Sequence, residues 1–283
     1  RYGSTVKLKL VNEKSGDETA KTPYDFSENF EGYEAPLPII RKKNSVLIGR
    51  GDTGLRVDSL SVEPKIFSIS IVNDFPLMQD ASGSNCLKMD RRNYKGTGDR
   101  DCFFSVHPAW SSDAYGAYDN SFSLAYDVCF DEFAATKSSL IQWDVAALRL
   151  QNSDFKVFTW SFLKDKGSDA RDDIKVCRYG TPPDAANPIT TLKIGEKYSI
   201  LVSFDVVWQK FTLTINGTLV DSYDFSEYVD FTRANNKSKE GTDKDYINAN
   251  FDSRNTMTAG WNGRGTDYTG TAYIDNIVVR QIP

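Results

Sequence analysis

Histidine is almost missing from this chain: His107 is the only one among 283 residues. One histidine excludes His-rich metal sites and any His–His acid/base pair. Methionine is scarce at three, and the four cysteines include no C-x-x-C pair, which argues against zinc and thioredoxin-like redox chemistry. An excess of positive charge is lacking too. Lys and Arg number 34 against 39 Asp and Glu, for a formal charge of −5 and a pI near 5.1. Such a chain has no electrostatic footprint for nucleic acid. No run approaches the roughly 20 apolar residues of a membrane helix, so no transmembrane segment is expected. P-loop, G-x-S-x-G and EF-hand-type calcium loop motifs are absent.

What is present points to a packed β protein. Hydrophobic residues make up 40% of the chain, too many for a disordered one. A chain of this length buries roughly three quarters of its unfolded surface. Cys86, Cys102, Cys129 and Cys177 allow three pairings, with Cys86–Cys102 the most local, and free thiols are equally open.

The dominant local pattern is period-2 alternation. Phe122, Leu124, Tyr126, Val128 and Phe130 take every second position, as a half-buried strand requires. Tyr198, Ile200, Val202 and Phe204 repeat it, as do Phe67, Ile69 and Ile71, and Val6, Leu8 and Leu10. Phe155 to Phe162 and Tyr273 to Val279 also read as strands. Phe211, Leu213 and Ile215 run into Asn216-Gly217, with Leu219-Val220 beyond; Asn-Gly tolerates φ > 0 and signals a hairpin. Helical periodicity is scarce: Asp131 to Ser139 reads as a short helix or a loop, and Ser226 to Arg233 as a turn. Many short strands separated by Gly, Asn, Asp and Pro predict an all-β antiparallel sandwich or barrel. Residues 1–24 are expected to be a leading strand or polar tether, and 25–283 the folded domain. The long polar loops at 90–101, 164–173, 181–190 and 235–245 are where binding residues usually sit.

Two distant segments carry a family resemblance. Phe26-Ser27-Glu28-Asn29-Phe30-Glu31-Gly32-Tyr33 opens the domain, and Ala272-Tyr273-Ile274-Asp275-Asn276-Ile277-Val278-Val279 closes it. The pair resembles the opening and closing strands of extracellular concanavalin A-like and carbohydrate-binding jelly rolls, which lie side by side. Phe211 to Thr218 and Ser84-Asn85-Cys86-Leu87-Lys88-Met89 resemble strands of laminin-G-like sandwiches. The resemblance covers most of residues 24–283. It implies a jelly-roll β-sandwich whose partner is a polysaccharide or other glycan, and a structural Ca2+ held by Glu31 and Asp275. For those two residues, a plain turn or strand-edge cap is the competing reading. The chain begins at Arg1 rather than Met, which fits a removed leader or anchor and a trimmed chain equally, so the N-terminus does not give the location. The resemblance to extracellular jelly rolls implies a location outside the cell or attached to its surface.

Sugars stack their C–H faces on aromatic rings and need amides or charged groups for their hydroxyls. Trp261-Asn262-Gly263-Arg264-Gly265-Thr266-Asp267-Tyr268 offers both, and Trp261, Asn262, Arg264, Asp267 and Tyr268 are candidate ligand-binding residues. Trp110 and Tyr115, in Trp110-Ser111-Ser112-Asp113-Ala114-Tyr115, form a second cluster. Trp143, Trp160 and Trp208 fall in strands and are expected in the core.

Catalysis ranks below binding. The E-x-D-x-x-E strand of sandwich hydrolases is absent, and Asp127, Asp131 and Asp144 make no specific pair. Sandwich lyases use a Tyr with His, Arg or Gln; His107, Arg149 and Gln151 are the residues of that kind, without the family's motifs. The expectation is a secreted or surface carbohydrate-binding sandwich. A polysaccharide lyase or glycoside hydrolase of the same fold is the alternative, and a non-catalytic adhesive protein the third.

Overall fold

In the computed structural model two antiparallel sheets stack face to face. The structure describes residues 25–39, 46–48, 55–59, 67–81, 83–91, 102–106, 121–135, 140–149, 156–158, 160–169, 173–178, 187–205, 208, 210–224, 256–261 and 269–282. The strands are β1 (Asp25–Glu28), β2 (Leu37–Pro38), β3 (Val46–Ile48), β4 (Leu55–Ser59), β5 (Phe67–Val72) and β6 (Cys86–Arg91). Then come β7 (Cys102–Val106), β8 (Ser121–Ala134), β9 (Ile141–Arg149), β10 (Lys156–Phe158), β11 (Trp160–Lys164) and β12 (Ile174–Arg178). The last are β13 (Thr190–Leu192), β14 (Lys197–Asp205), β15 (Lys210–Ile215), β16 (Thr218–Asp224), β17 (Thr256–Trp261) and β18 (Thr269–Ile282).

Sheet I runs β16-β15-β14-β8-β18-β6-β5-β2, with β1 also paired to β18. Sheet II runs β13-β12-β11-β9-β17-β7-β4-β3, with β10 also paired to β9. The chain alternates between them: β6 is in sheet I, β7 in sheet II, β8 in I, β9 in II, and β17 and β18 again split. That alternation makes the sandwich a jelly roll. The opening and closing segments meet as their resemblance implies, with Phe26 opposite Val279 and Glu28 opposite Ile277. Residues 1–24, including Val6, Leu8 and Leu10, lie outside the described residues, as do 226–233.

Alternation decides which side chains fill the space between the sheets. Leu124, Tyr126, Val128 and Phe130 of β8 enter the core, as do Ile200, Val202 and Phe204 of β14 and Trp143 and Val145 of β9. Polar groups there are tied across the sheets: the Tyr126 hydroxyl donates to the Val145 carbonyl at 2.7 Å, and the Trp143 indole N–H donates to the Tyr126 oxygen at 3.3 Å. Asn216 and Gly217 have φ of 50° and 76° and close the β15–β16 hairpin as the sequence predicts.

One segment departs from expectation. Residues 131–134 continue β8 instead of forming a helix or loop. Phe133 pairs with Gly270, Phe130 with Ala272, and the register shifts between Thr271 and Ala272. The irregularity turns both rings inward although they stand three apart, and they meet edge-on at 5.0 Å. The apolar gain of burying a second phenylalanine overrides the local polar composition.

At the β16 edge the sheets are bridged by charge. Asp221 accepts from the Trp160 indole N–H at 2.9 Å and from Arg178 Nε and an Arg178 terminal nitrogen at 2.7 and 2.8 Å. Burial alone would raise its carboxyl, but the hydrogen bonds from Arg178 and Trp160 win and hold it below the ordinary aspartate value. Asp221→Ala leaves a partly buried indole N–H and a guanidinium without this acceptor. A loss of about 2–3 kcal/mol is expected, read as a lower denaturant midpoint. Because the folded carboxyl titrates below the unfolded one, this contribution is present above the unfolded value and fades as pH falls through the folded one.

Candidate functional site

The face of sheet II turned away from the core carries a row of polar side chains. On β9, Ile141, Trp143 and Val145 point inward, so Gln142 and Asp144 point outward. Ser161 of β11 stands opposite Asp144 and Leu163 opposite Gln142, and residues so paired share a face. The Gln142 side-chain amide donates to Asp144 at 2.8 Å and to the Ser161 hydroxyl at 3.0 Å. Gln142 and Ser161 are fully buried, and Asp144 is 8% exposed. The Gln142 carbonyl oxygen is buried and has no hydrogen-bond partner. A buried acceptor left unpaired costs about 1–3 kcal/mol, which an ordered water or a bound donor offsets. Gly260 of β17 stands beside Asp144, which keeps one flank of the carboxylate free of a side chain.

A second polar cluster lies on the outer face of sheet I. Lys197 Nζ is 3.1 Å from Asp127 and 3.5 Å from Asp80. The Asn276 side-chain amide donates to the same two carboxylates at 3.0 and 3.2 Å, and its backbone N–H donates to Asp275 at 2.7 Å. Asn276 sits at φ 50°, where the β18 register shifts between Asp275 and Val278. Asp275 is 2% exposed. Burial, with Asp80 and Asp127 adding, pushes its carboxyl up to about 7 against the Asn276 bond and Lys197.

A carboxyl raised in the folded state holds its proton there while the unfolded chain releases it. Its favourable contribution is full below the unfolded value near 4 and is lost as pH rises towards about 7. Asp275→Asn is therefore expected to flatten the stability profile between those limits. Above neutral pH it should be more stable than the wild type by about 2–4 kcal/mol, measured by urea melts across pH.

The structure places the expected site residues as follows. Trp261 is not a loop residue. It ends β17, is 1% exposed, and lies edge-on to Trp143 at 5.0 Å with its N–H donating to the Met89 carbonyl at 3.1 Å. The polar sequence after it suggested a presenting loop. The register with β7 and β9 instead drives its ring between the sheets, where its indole N–H finds a backbone acceptor. Asn262, Arg264, Asp267 and Tyr268 lie outside the described residues, as do Trp110, Tyr115, His107 and Gln151. Arg149 ends β9, in register with Lys156 and Thr256.

Glu31 accepts from the Asn85 backbone N–H at 2.6 Å. Calcium at Glu31 and Asp275 would take roughly six to eight oxygens. Among the described residues no three His, Cys, Asp or Glu are grouped as a metal site, and Lys197 already brings a positive charge to Asp80 and Asp127. The melting temperature is expected to be unchanged by chelator; a drop is the result that a bound ion at Glu31 and Asp275 requires.

Trp143 and Trp160 are core residues, as expected. Trp208, also expected in the core, is 74% exposed at the turn between β14 and β15. Its backbone N–H donates to Asp205 at 2.9 Å, which places it in the β14–β15 turn rather than in a strand. Cys86, Cys129 and Cys177 are buried free thiols, so the local Cys86–Cys102 pairing does not form. Burial, reinforced by Asp275 among others, pushes the Cys86 thiol up to about 12, and burial with Asp131 pushes Cys129 up to about 11. Both stay protonated and inert at neutral pH.

No family model matches the sequence, and no curated protein matches it. Solved structures resemble its fold. Alginate lyase AlgAT5 of polysaccharide lyase family 7 has a TM-score of 0.40 and 12% identity, over 72% of this chain and 81% of that one. Alginate lyase A1-II', of the same family, has 0.43 and 12%, over 75% and 83%. The cellulose-induced protein Cip1 has 0.44 and 11%, over 82% and 93%. The functional reading rests on this chain's own residues.

The Gln142-Asp144-Ser161 row was missed in the sequence. Its signal was an amide and a carboxylate alternating with Ile141, Trp143 and Val145, whose inward apolar face forces the polar pair outward.

Proposed function

We propose that the protein is polysaccharide-active and takes a sugar chain against the outer face of sheet II. The observation that carries this reading is the dry polar row of Gln142, Asp144 and Ser161, with the Gln142 carbonyl unpaired. Two acceptors side by side suit the hydroxyl donors of a sugar, and a closed, water-poor setting strengthens each such bond.

Cleavage fits this row better than binding alone. Of the two stacking residues that favoured a simple binder, Trp261 belongs to the core and Trp110 lies outside the described residues, while the outer face offers a carboxylate in position to move a proton. The reaction that fits is β-elimination on a uronate-containing chain. Hydrolysis usually takes two carboxylates roughly 5–9.5 Å apart; Asp144 is the one on β9 and β11, and Asp58 of β4, in the same row, stands three strands away. Asp144 would take the C5 proton beside the uronate carboxylate; the electron pair left behind would form the C4–C5 double bond as the C4–O bond breaks, the departing oxygen would take a proton from water, and Gln142 and Ser161 would fix the ring. The alginate lyases of similar fold carry that activity in their names. A secreted location agrees with this reading, and among the described residues no helix is long and apolar enough to cross a membrane.

The test is incubation with alginate, polygalacturonate and hyaluronan, following the ultraviolet absorbance of the unsaturated product. Rising absorbance with at least one polymer is expected. No absorbance and no retardation in gels cast with any of them would overturn the reading.

A further inference from the structure

The outer face of the β14–β15–β16 meander, on sheet I, is open and carries two rows of a different character. Leu201, Thr214 and Leu219 stand opposite one another across the three strands. Leu201 is 37% and Leu219 61% exposed. The neighbouring row is Ser203, Thr212 and Ser222, all half-buried. Their alternate positions, Ile200, Val202, Phe211 and Leu213, fill the core, which fixes the outward direction of both rows. At one end of the meander stands Trp208, 74% exposed. Tryptophan is rarely left this open on a soluble protein, because its ring loses more by hydration than any other side chain's.

We infer that this face, ended by Trp208, is a second glycan-binding surface, for a neutral polysaccharide chain. Charge decides the class of ligand. The rim charges are matched within the protein: Lys210 lies 3.7 Å from Asp224, and Asp205 receives the Trp208 backbone N–H. The two rows themselves contribute only hydroxyls and aliphatic carbon. Among the described residues a polyanion finds no cationic stripe here. An uncharged sugar chain presents what the rows match, with C–H faces for the indole and leucines and hydroxyls for Ser203, Thr212 and Ser222. The surface lies on the opposite sheet from the Gln142-Asp144-Ser161 row. The inference goes beyond the proposed cleavage and does not depend on it.

Affinity electrophoresis tests it, with the full chain run through gels containing hydroxyethylcellulose, alginate or no polymer. The wild type is expected to be retarded by hydroxyethylcellulose. Trp208→Ala should bind at least about tenfold more weakly, Leu219→Asp should weaken binding as well, and Trp208→Phe should retain part of it. Both positions are exposed, so melting temperatures should match the wild type and exclude misfolding. Migration of the wild type unchanged by hydroxyethylcellulose would overturn the inference, as would equal retardation of wild type and Trp208→Ala. Retardation of the wild type by alginate alone would overturn its neutral-ligand claim. Uronate cleavage by Trp208→Ala, measured on the same sample, should equal the wild-type rate. A failure of cleavage in both proteins would count against the sheet II site and leave this surface standing.

Discussion

Trp261→Ala is expected to destabilise the protein by about 3–5 kcal/mol, with loss of cooperative folding at moderate temperature rather than a selective loss of sugar binding. The ring spans the sandwich. It packs edge-on to Trp143 at 5.0 Å and to Phe130 at 5.8 Å, and lies 5.3 Å from Phe133. Its N–H reaches across to the Met89 carbonyl of sheet I. Gly270 of β18 makes room for it: a Cβ there would meet the six-membered ring of the indole at 2.5 Å. Truncation opens a cavity among rigid aromatic neighbours and removes the indole donor from the Met89 carbonyl, and the cavity does not relax easily. Gly270→Ala should produce a milder version of the same loss from the opposite wall. Thermal and urea melts measure both. A Trp261→Ala protein with wild-type stability would return this tryptophan to a surface loop.

Asp144→Asn is expected to reduce polysaccharide cleavage by roughly 10²–10⁴-fold, the usual range for removing a general base, with little change in melting temperature. Asparagine keeps the volume of aspartate and a carbonyl that still accepts from the Gln142 amide, so the hydrogen bond seen at 2.8 Å survives. The capacity to take a proton is removed. The loss should therefore appear in kcat rather than KM. A structural role for Asp144 would move stability instead and leave kcat in place.

The fold was legible in the sequence because alternation is a strong, local signal. The stripes of Leu124 to Phe130 and Ile200 to Phe204 mark inward faces directly, and Asn216-Gly217 marks the turn that joins β15 to β16. The pairing of Phe26 with Val279 rested on resemblance across more than 250 residues of sequence and held. The site was less legible, for physical reasons. Trp261 and Trp208 exchange their expected places because burial of a single ring is decided by strand register and turn geometry, which leave no trace in local composition. β17 contains the short residues Thr258, Ala259 and Gly260 and a register shift, so its strand character is muted. Gln142 and Asp144 look like solvated strand positions until Ser161, 19 residues away, is seen to close over them. Asp275 was read in sequence only beside Glu31; the structure sets it next to Asn276, whose backbone N–H it receives, and beside the Asp80–Asp127 pair held by Lys197, a lysine that comes from β14 and from no motif.

A sugar chain lying against Gln142 on the outer face of sheet II is observable in the Gln142 side-chain amide resonance, followed while Asp144→Asn protein is titrated with a uronate oligosaccharide it cannot cleave. A saturable shift of the Gln142 amide signal is expected, with the Trp208 indole signal unmoved. A titration that leaves the Gln142 amide in place while other resonances shift, or that shifts nothing, would contradict it.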